Sequence, residues 1–182
     1  MRAASIASLV VGLGLGFAPM YIVMQKRAPE VLKAMPSHPV RIQRLEARFQ
    51  QLQEELKKDS RSFEVLAEIG DTQFDLHRYN EASDWYTKAL AVGDSLEVRQ
   101  YLGIALLNQN RYDEAIAQFN KVLTTAPSNP DALLYVGLTL LKGKDDSAGA
   151  IEVWEKLIQL NPNYSRNEDV RGLIQGAKEK LQ

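Results

Sequence analysis

Leu66-Ala67-Glu68-Ile69-Gly70, followed through Tyr79-Asn80-Glu81-Ala82 to Tyr86 and Ala89, is the stretch from which the rest of the chain can be read. Its pattern returns as Leu102, Gly103, Tyr112, Ala115, Phe119 and Val122, and again as Val136, Gly137, Ala150, Trp154 and Leu157. The glycines stand at 70, 103 and 137, gaps of 33 and 34 residues, and the alanines at 82, 115 and 150, gaps of 33 and 35. A period of that length belongs to a helix-turn-helix unit stacked on copies of itself. An incidental periodicity in an ordinary bundle would not hold register over three units.

Within a unit the spacing has a mechanical meaning. Glycine in a first helix lets a second, antiparallel helix approach closely, and the aromatic four residues after the alanine is expected to fill the space between neighbouring units. Turn signals close the units: Gly93-Asp94-Ser95 after the first, Ala126-Pro127-Ser128-Asn129-Pro130 after the second and Asn161-Pro162-Asn163 after the third. Proline cannot continue a helix but suits the first turn of the next.

These residues resemble the tetratricopeptide repeat (TPR) family over about Ser62–Pro162, through Tyr79-Asn80-Glu81-Ala82, Tyr112-Asp113-Glu114-Ala115 and the prolines that end the second and third units. Departures are Arg99 where the family prefers a large apolar residue, Asp94 in place of the first proline, and an extra residue in Lys142-Gly143-Lys144-Asp145-Asp146. The fold class expected is all-α: a three-unit solenoid over residues 61–162 (about 62–94, 95–128 and 129–162), closed by a cap helix at 163–182. Val170, Leu173, Ile174, Ala177 and Leu181 supply the cap's apolar face.

The flanking sequence divides into three further pieces. From Ala3 to Met24 there are 22 residues without a charge, enough at about 1.5 Å per residue to span the roughly 30 Å hydrocarbon layer. Residues 1–25 therefore read as a transmembrane anchor; the run is longer than a cleavable signal core, and Phe17-Ala18-Pro19 is a poor cleavage site. Ala4, Ser8, Gly12 and Gly16 recur on one side of it, a small-residue stripe that raises the expectation of a homodimer. Residues 26–40 hold three prolines and read as a stiff spacer. Residues 41–60 place Ile42, Leu45, Phe49, Leu52 and Leu56 at spacings of three and four, either a short coiled-coil seam with Arg41 and Glu46 paired between chains, or a helix that shields the open end of the first repeat.

Composition removes whole classes of function. A net charge of −1 over 182 residues leaves no electrostatic footprint for nucleic acid. Zero cysteines exclude disulfides, Cys-x-x-Cys redox chemistry, covalent haem attachment by this chain and an acylated lipoprotein cysteine. The two histidines, His38 in the spacer and His77 in an inter-helix turn, lack the company that a metal site or nucleophile requires. The acidic residues follow exposed helical faces, so neither enzymatic activity, nor a metal, nor a cofactor is expected.

Function then falls to the surface the repeats enclose. Periodicity and the TPR resemblance together assign its stripe to Glu64, Ala67, Asp71, Phe74 and Asp75 in the first unit, to Glu97, Gln100, Ile104, Leu107 and Asn108 in the second, and to Asp131, Leu134, Leu138, Leu141 and Lys142 in the third, with core as the alternative place for Leu107, Leu134 and Leu141. Some members of the family clamp a chaperone's C-terminal carboxylate with lysines and asparagines; here Ala67 and Asp71 occupy the places where such a clamp begins, which disfavours that ligand. An apolar groove with an acidic end suits an amphipathic or extended protein segment carrying basic residues.

Anchor, heptad helix, three repeats and a charged terminal helix together resemble the TPR subunits of bacterial cytochrome c and nitrite-reductase haem-attachment systems. That resemblance implies a single-pass inner-membrane protein that captures the C-terminal helix of an apocytochrome. It places the repeats on the periplasmic side, whereas Lys26, Arg27, Lys33, Arg41 and Arg44, all following the apolar run, favour the cytoplasmic side. The alternatives are an envelope assembly or secretion adaptor, and a cytoplasm-facing receptor that docks soluble proteins at the membrane.

Overall fold

In a computed structural model, residues 38–182 are described. They form eight α-helices and, among the described residues, no strand: α1 (His38–Lys58), α2 (Phe63–Asp75), α3 (Tyr79–Val92), α4 (Leu96–Asn108), α5 (Tyr112–Thr125), α6 (Pro130–Gly143), α7 (Ser147–Leu160) and α8 (Asn167–Glu179). The starts of α2, α4 and α6 have a local cause. Ser62, Ser95 and Asn129 accept a hydrogen bond from the backbone N–H three residues on, at 3.3, 3.3 and 2.9 Å, and Pro130 opens α6 where its missing N–H costs nothing. The turns inside the units share one device: His77, Asn110 and Asp145 take left-handed backbone with φ of 59, 61 and 51°. Histidine, asparagine and aspartate are the non-glycine residues that enter that region most readily.

The helices pair as α2/α3, α4/α5 and α6/α7, and each pair closes on its glycine. A methyl added at Gly70 would lie 2.5 Å from the Tyr86 ring and one at Gly103 2.6 Å from Phe119, so the space a side chain would need is already occupied by an aromatic of the same unit. The sequence pattern assigned these aromatics to the gaps between units. In the structure they do both jobs, because the outer face of each ring stacks on a tyrosine of the next unit: Tyr86 on Tyr101 with centroids 6.2 Å apart, Phe119 on Tyr135 at 5.7 Å.

The two ends of the stack are covered differently. α1 covers the first unit: Leu52 is fully buried, Leu56 packs on the core, Arg48 bonds Glu68 at 2.5 Å and Glu46 pairs with Arg78. Of the two readings of the heptad helix, the structure therefore supports the shield, with Glu46 engaged within its own chain and Ile42 exposed. The helix also begins at His38, inside the stretch read as spacer, since Pro39 is tolerated in a first helical turn.

At the other end Val170, Ile174 and Ala177 of α8 join Leu133, Leu134, Trp154 and Leu157 in one buried cluster. Buried Asn167 ties α8 to the turn before it, its Nδ2 donating to the carbonyls of Asn161 and Pro162 at 2.8 and 3.0 Å. Leu181 departs from the expected cap face: α8 stops at Glu179, and Leu181 is left 59% exposed. The anchor and small-residue stripe expected at 1–25 lie outside the described residues, as does most of the 26–40 spacer. Among the described residues no helix is long and apolar enough to cross a membrane.

Candidate functional site

The first helices of the units, α2, α4 and α6, line a groove of about 550 Å³. Seven of the residues predicted for it meet there: Phe74, Ile104, Leu107, Asn108, Leu138, Leu141 and Lys142. Helical periodicity explains the convergence, since positions three and four apart share a face and the repeat carries that face from unit to unit. Leu107 is already buried against the core and forms floor, whereas Ile104, Leu138 and Leu141 are half-buried and keep surface for a ligand. Asn108 is held by its own helix, its Nδ2 donating to the Ile104 carbonyl at 2.9 Å.

Other predicted residues fall elsewhere. Leu134 is corrected from groove to core: it is 0% exposed, and its carbonyl accepts the Trp154 indole N–H at 3.1 Å. Ala67 packs against the core, Gln100 is half-buried away from the lining, and Glu64 stands in the exposed first turn of α2. Asp131, at the start of α6, accepts from the Tyr164 hydroxyl at 2.5 Å, and burial, reinforced by that contact, pushes the Tyr164 pKa up to about 12.

Asp71, Asp75 and Glu97 lie outside the groove lining but within electrostatic reach of Tyr101 beside it. Asp71 accepts a hydrogen bond from the buried Tyr86 hydroxyl at 2.8 Å. Desolvation raises the Asp71 pKa above the ordinary carboxylate value, the Tyr86 hydrogen bond opposes this, and Glu97, Asp75 and Glu68 add to the rise.

The groove also contains what sequence reasoning missed. Tyr79, Tyr135 and Lys180 line it, and Tyr101, 37% exposed, stands beside it, 5.6 Å edge-to-face from Phe74. Phe74 is in turn edge-on to Tyr79 at 5.3 Å. A signal for two of these was present, because Tyr101 and Tyr135 each sit two residues before a repeat glycine. Lys180 had none, since it arrives from the end of the chain.

A larger hollow of about 780 Å³ lies on the opposite side, between α3 and α5 over α4. Its charged walls are largely satisfied: Arg111 forks onto Glu114, both bonds 2.7 Å, and Arg99 bonds Asp94 at 2.7 Å. The smaller groove is the better interaction surface because it presents aromatic and aliphatic side chains. Among the described residues no group of histidine and carboxylate side chains is placed to hold a metal ion, and His77 instead meets the Tyr79 hydroxyl at 2.9 Å.

Comparison with known proteins agrees with this geometry. Residues 102–165 match the tetratricopeptide repeat family. No curated protein matches the chain. Among solved structures, MamA is similar with a TM-score of 0.63, 22% identity and coverage of 75% of this chain and 88% of that one. The first TPR of Spaghetti, bound to an HSP90 peptide, gives 0.59 at 21% identity over 68% and 95%. The TPR2B-domain:pHsp70 complex of yeast Sti1 gives 0.60 at 20% identity over 65% and 97%. The match to the family is thus confined to residues 102–165, and the described residues share the helical-solenoid fold of these structures.

Proposed function

We propose that this chain is a non-enzymatic scaffold that holds a peptide segment of a client protein in the groove of α2, α4 and α6. The observation that carries the reading is the gathering of Phe74, Ile104, Leu138 and Leu141 from three units into one apolar-walled groove. Two similar structures, of Spaghetti and Sti1, are of TPR domains with chaperone peptides, which supports a peptide as the class of ligand. The uncharged Ala3–Met24 run supports a membrane tether that would concentrate the scaffold where its client emerges. An apocytochrome C-terminal segment is the client that the haem-attachment resemblance adds; that part rests on domain order alone.

Ile104→Glu and Leu138→Glu test the site. Both positions are half-buried in the free protein, so binding can add only part of the roughly 1.5–3 kcal/mol of full burial, and a glutamate there must also be desolvated. Each substitution should weaken peptide binding by at least about tenfold, measured by fluorescence anisotropy, with helical content and melting unchanged. Variants that stay folded and bind as before would move the contact surface away from this groove.

A further inference from the structure

The groove has lysines at one end and carboxylates beside the other. Lys142 and Lys180 line the same wall, and among the described residues neither makes an ion pair. Their neighbours behave differently: Lys144 is paired with Asp113 at 2.5 Å and Lys178 with Glu155 at 3.1 Å. At the opposite end Tyr101, partly exposed although one side of its ring is stacked on Tyr86, stands beside Phe74, within the field of Asp71 and Glu97. An aromatic face flanked by carboxylates suits a guanidinium, which stacks on the ring and bonds the oxygens. Two unpaired ammonium groups suit a carboxylate.

We infer that the groove takes a two-signed segment of a client protein: an arginine against Tyr101 and the Asp71 and Glu97 carboxylates, an apolar centre against Ile104 and Leu138, and an acidic side chain between Lys142 and Lys180. The inference rests on the groove reading above and adds the chemistry of the ligand to it. Complementary ends fix the direction of the bound segment and disfavour clients with the same charge at both flanks, because one flank then meets its own sign on docking.

The test uses the full-length chain in mild detergent and labelled peptides that share one apolar centre but differ in their flanks: arginine and glutamate, arginine on both sides, glutamate on both sides, or neutral. The arginine/glutamate peptide should bind at least about tenfold more tightly than the glutamate/glutamate peptide and several-fold more tightly than the arginine/arginine one. Lys142→Glu combined with Lys180→Glu should reverse the last preference, and Tyr101→Ala should weaken only the peptides that carry arginine. Equal binding of all four peptides, abolished by Ile104→Glu, would overturn the charge assignment while leaving the groove in place. Binding of none of them would overturn both. A double variant that keeps the wild-type preference would remove the basic end.

Discussion

A methyl group on Gly137 would lie 2.2 Å from Trp154 Nε1, the atom that donates to the Leu134 carbonyl. The indole is rigid and fully buried, so it cannot swing aside as a flexible chain end would. Gly137→Ala should therefore destabilise the third unit by about 1–3 kcal/mol through overpacking. Trp154→Ala leaves a cavity against α8 instead and should cost about 3–5 kcal/mol. Urea unfolding followed by circular dichroism checks both, with Lys121→Ala, an exposed change in α5, as the reference. Loss no greater than that of the reference would show that the ring is not the keystone of this unit. Gly137 and Trp154 were legible in the sequence because a repeat displays each position three times. Leu134 was misread because its register matches the groove stripe, while the ring of Trp154 draws that turn of α6 into the core. Periodicity gives a residue's direction but not the depth of what lies there.

At the scale of elements, α1 separates two kinds of contact that a list of interactions would treat alike. Its ion pairs, Arg48 with Glu68 and Arg78 with Glu46, join half-exposed side chains, and such pairs contribute about 0–1 kcal/mol. Leu52, fully buried, should carry the docking: Leu52→Ala is expected to cost about 2–5 kcal/mol, and Arg48→Ala less than about 1. Thermal melting of the two variants, together with amide exchange along α1, separates these expectations; equal losses would mean that the charges hold the helix. The heptad spacing made the helix legible without showing its partner, because an apolar stripe fits a second chain and a first repeat equally well. Burial of Leu52 inside its own chain decides between them. The α8 boundary was less legible: Leu181 continues the helical spacing, but the helix has already ended at Glu179.

For the whole molecule, the repeats were readable from composition and period and Lys142 from the groove stripe, whereas Lys180, the second lysine of the groove, was not. Lys180 reaches the groove only because it follows a terminal helix that packs back on α7, a relation between residues far apart in the chain that no local pattern encodes. The tether belongs to this scale as well. Alkaline carbonate washing should leave the full chain in the membrane pellet, while a chain beginning near Arg41 should stay in the supernatant. Recovery of the full chain in the wash would remove the anchor. Cysteine introduced at Lys121 and labelled with an impermeant reagent would then report which side of the membrane the repeats occupy.

The interlocked rings beside the groove have a thermodynamic consequence for whatever binds there. Phe74 meets both Tyr79 and Tyr101 edge-to-face, and Tyr101 and Tyr135 are each stacked on a buried ring of the preceding unit. An aromatic side chain has two torsions to lose, and here neighbouring rings restrict both before any client arrives. Most of the conformational entropy lost on association is then the client's, at about 0.5–1.5 kcal/mol for each flexible side chain it immobilises. Between two segments with the same side chains, this surface favours the one that is already a helix or is held extended by proline. A client held in the proposed groove would thereby be selected for its order as well as its chemistry.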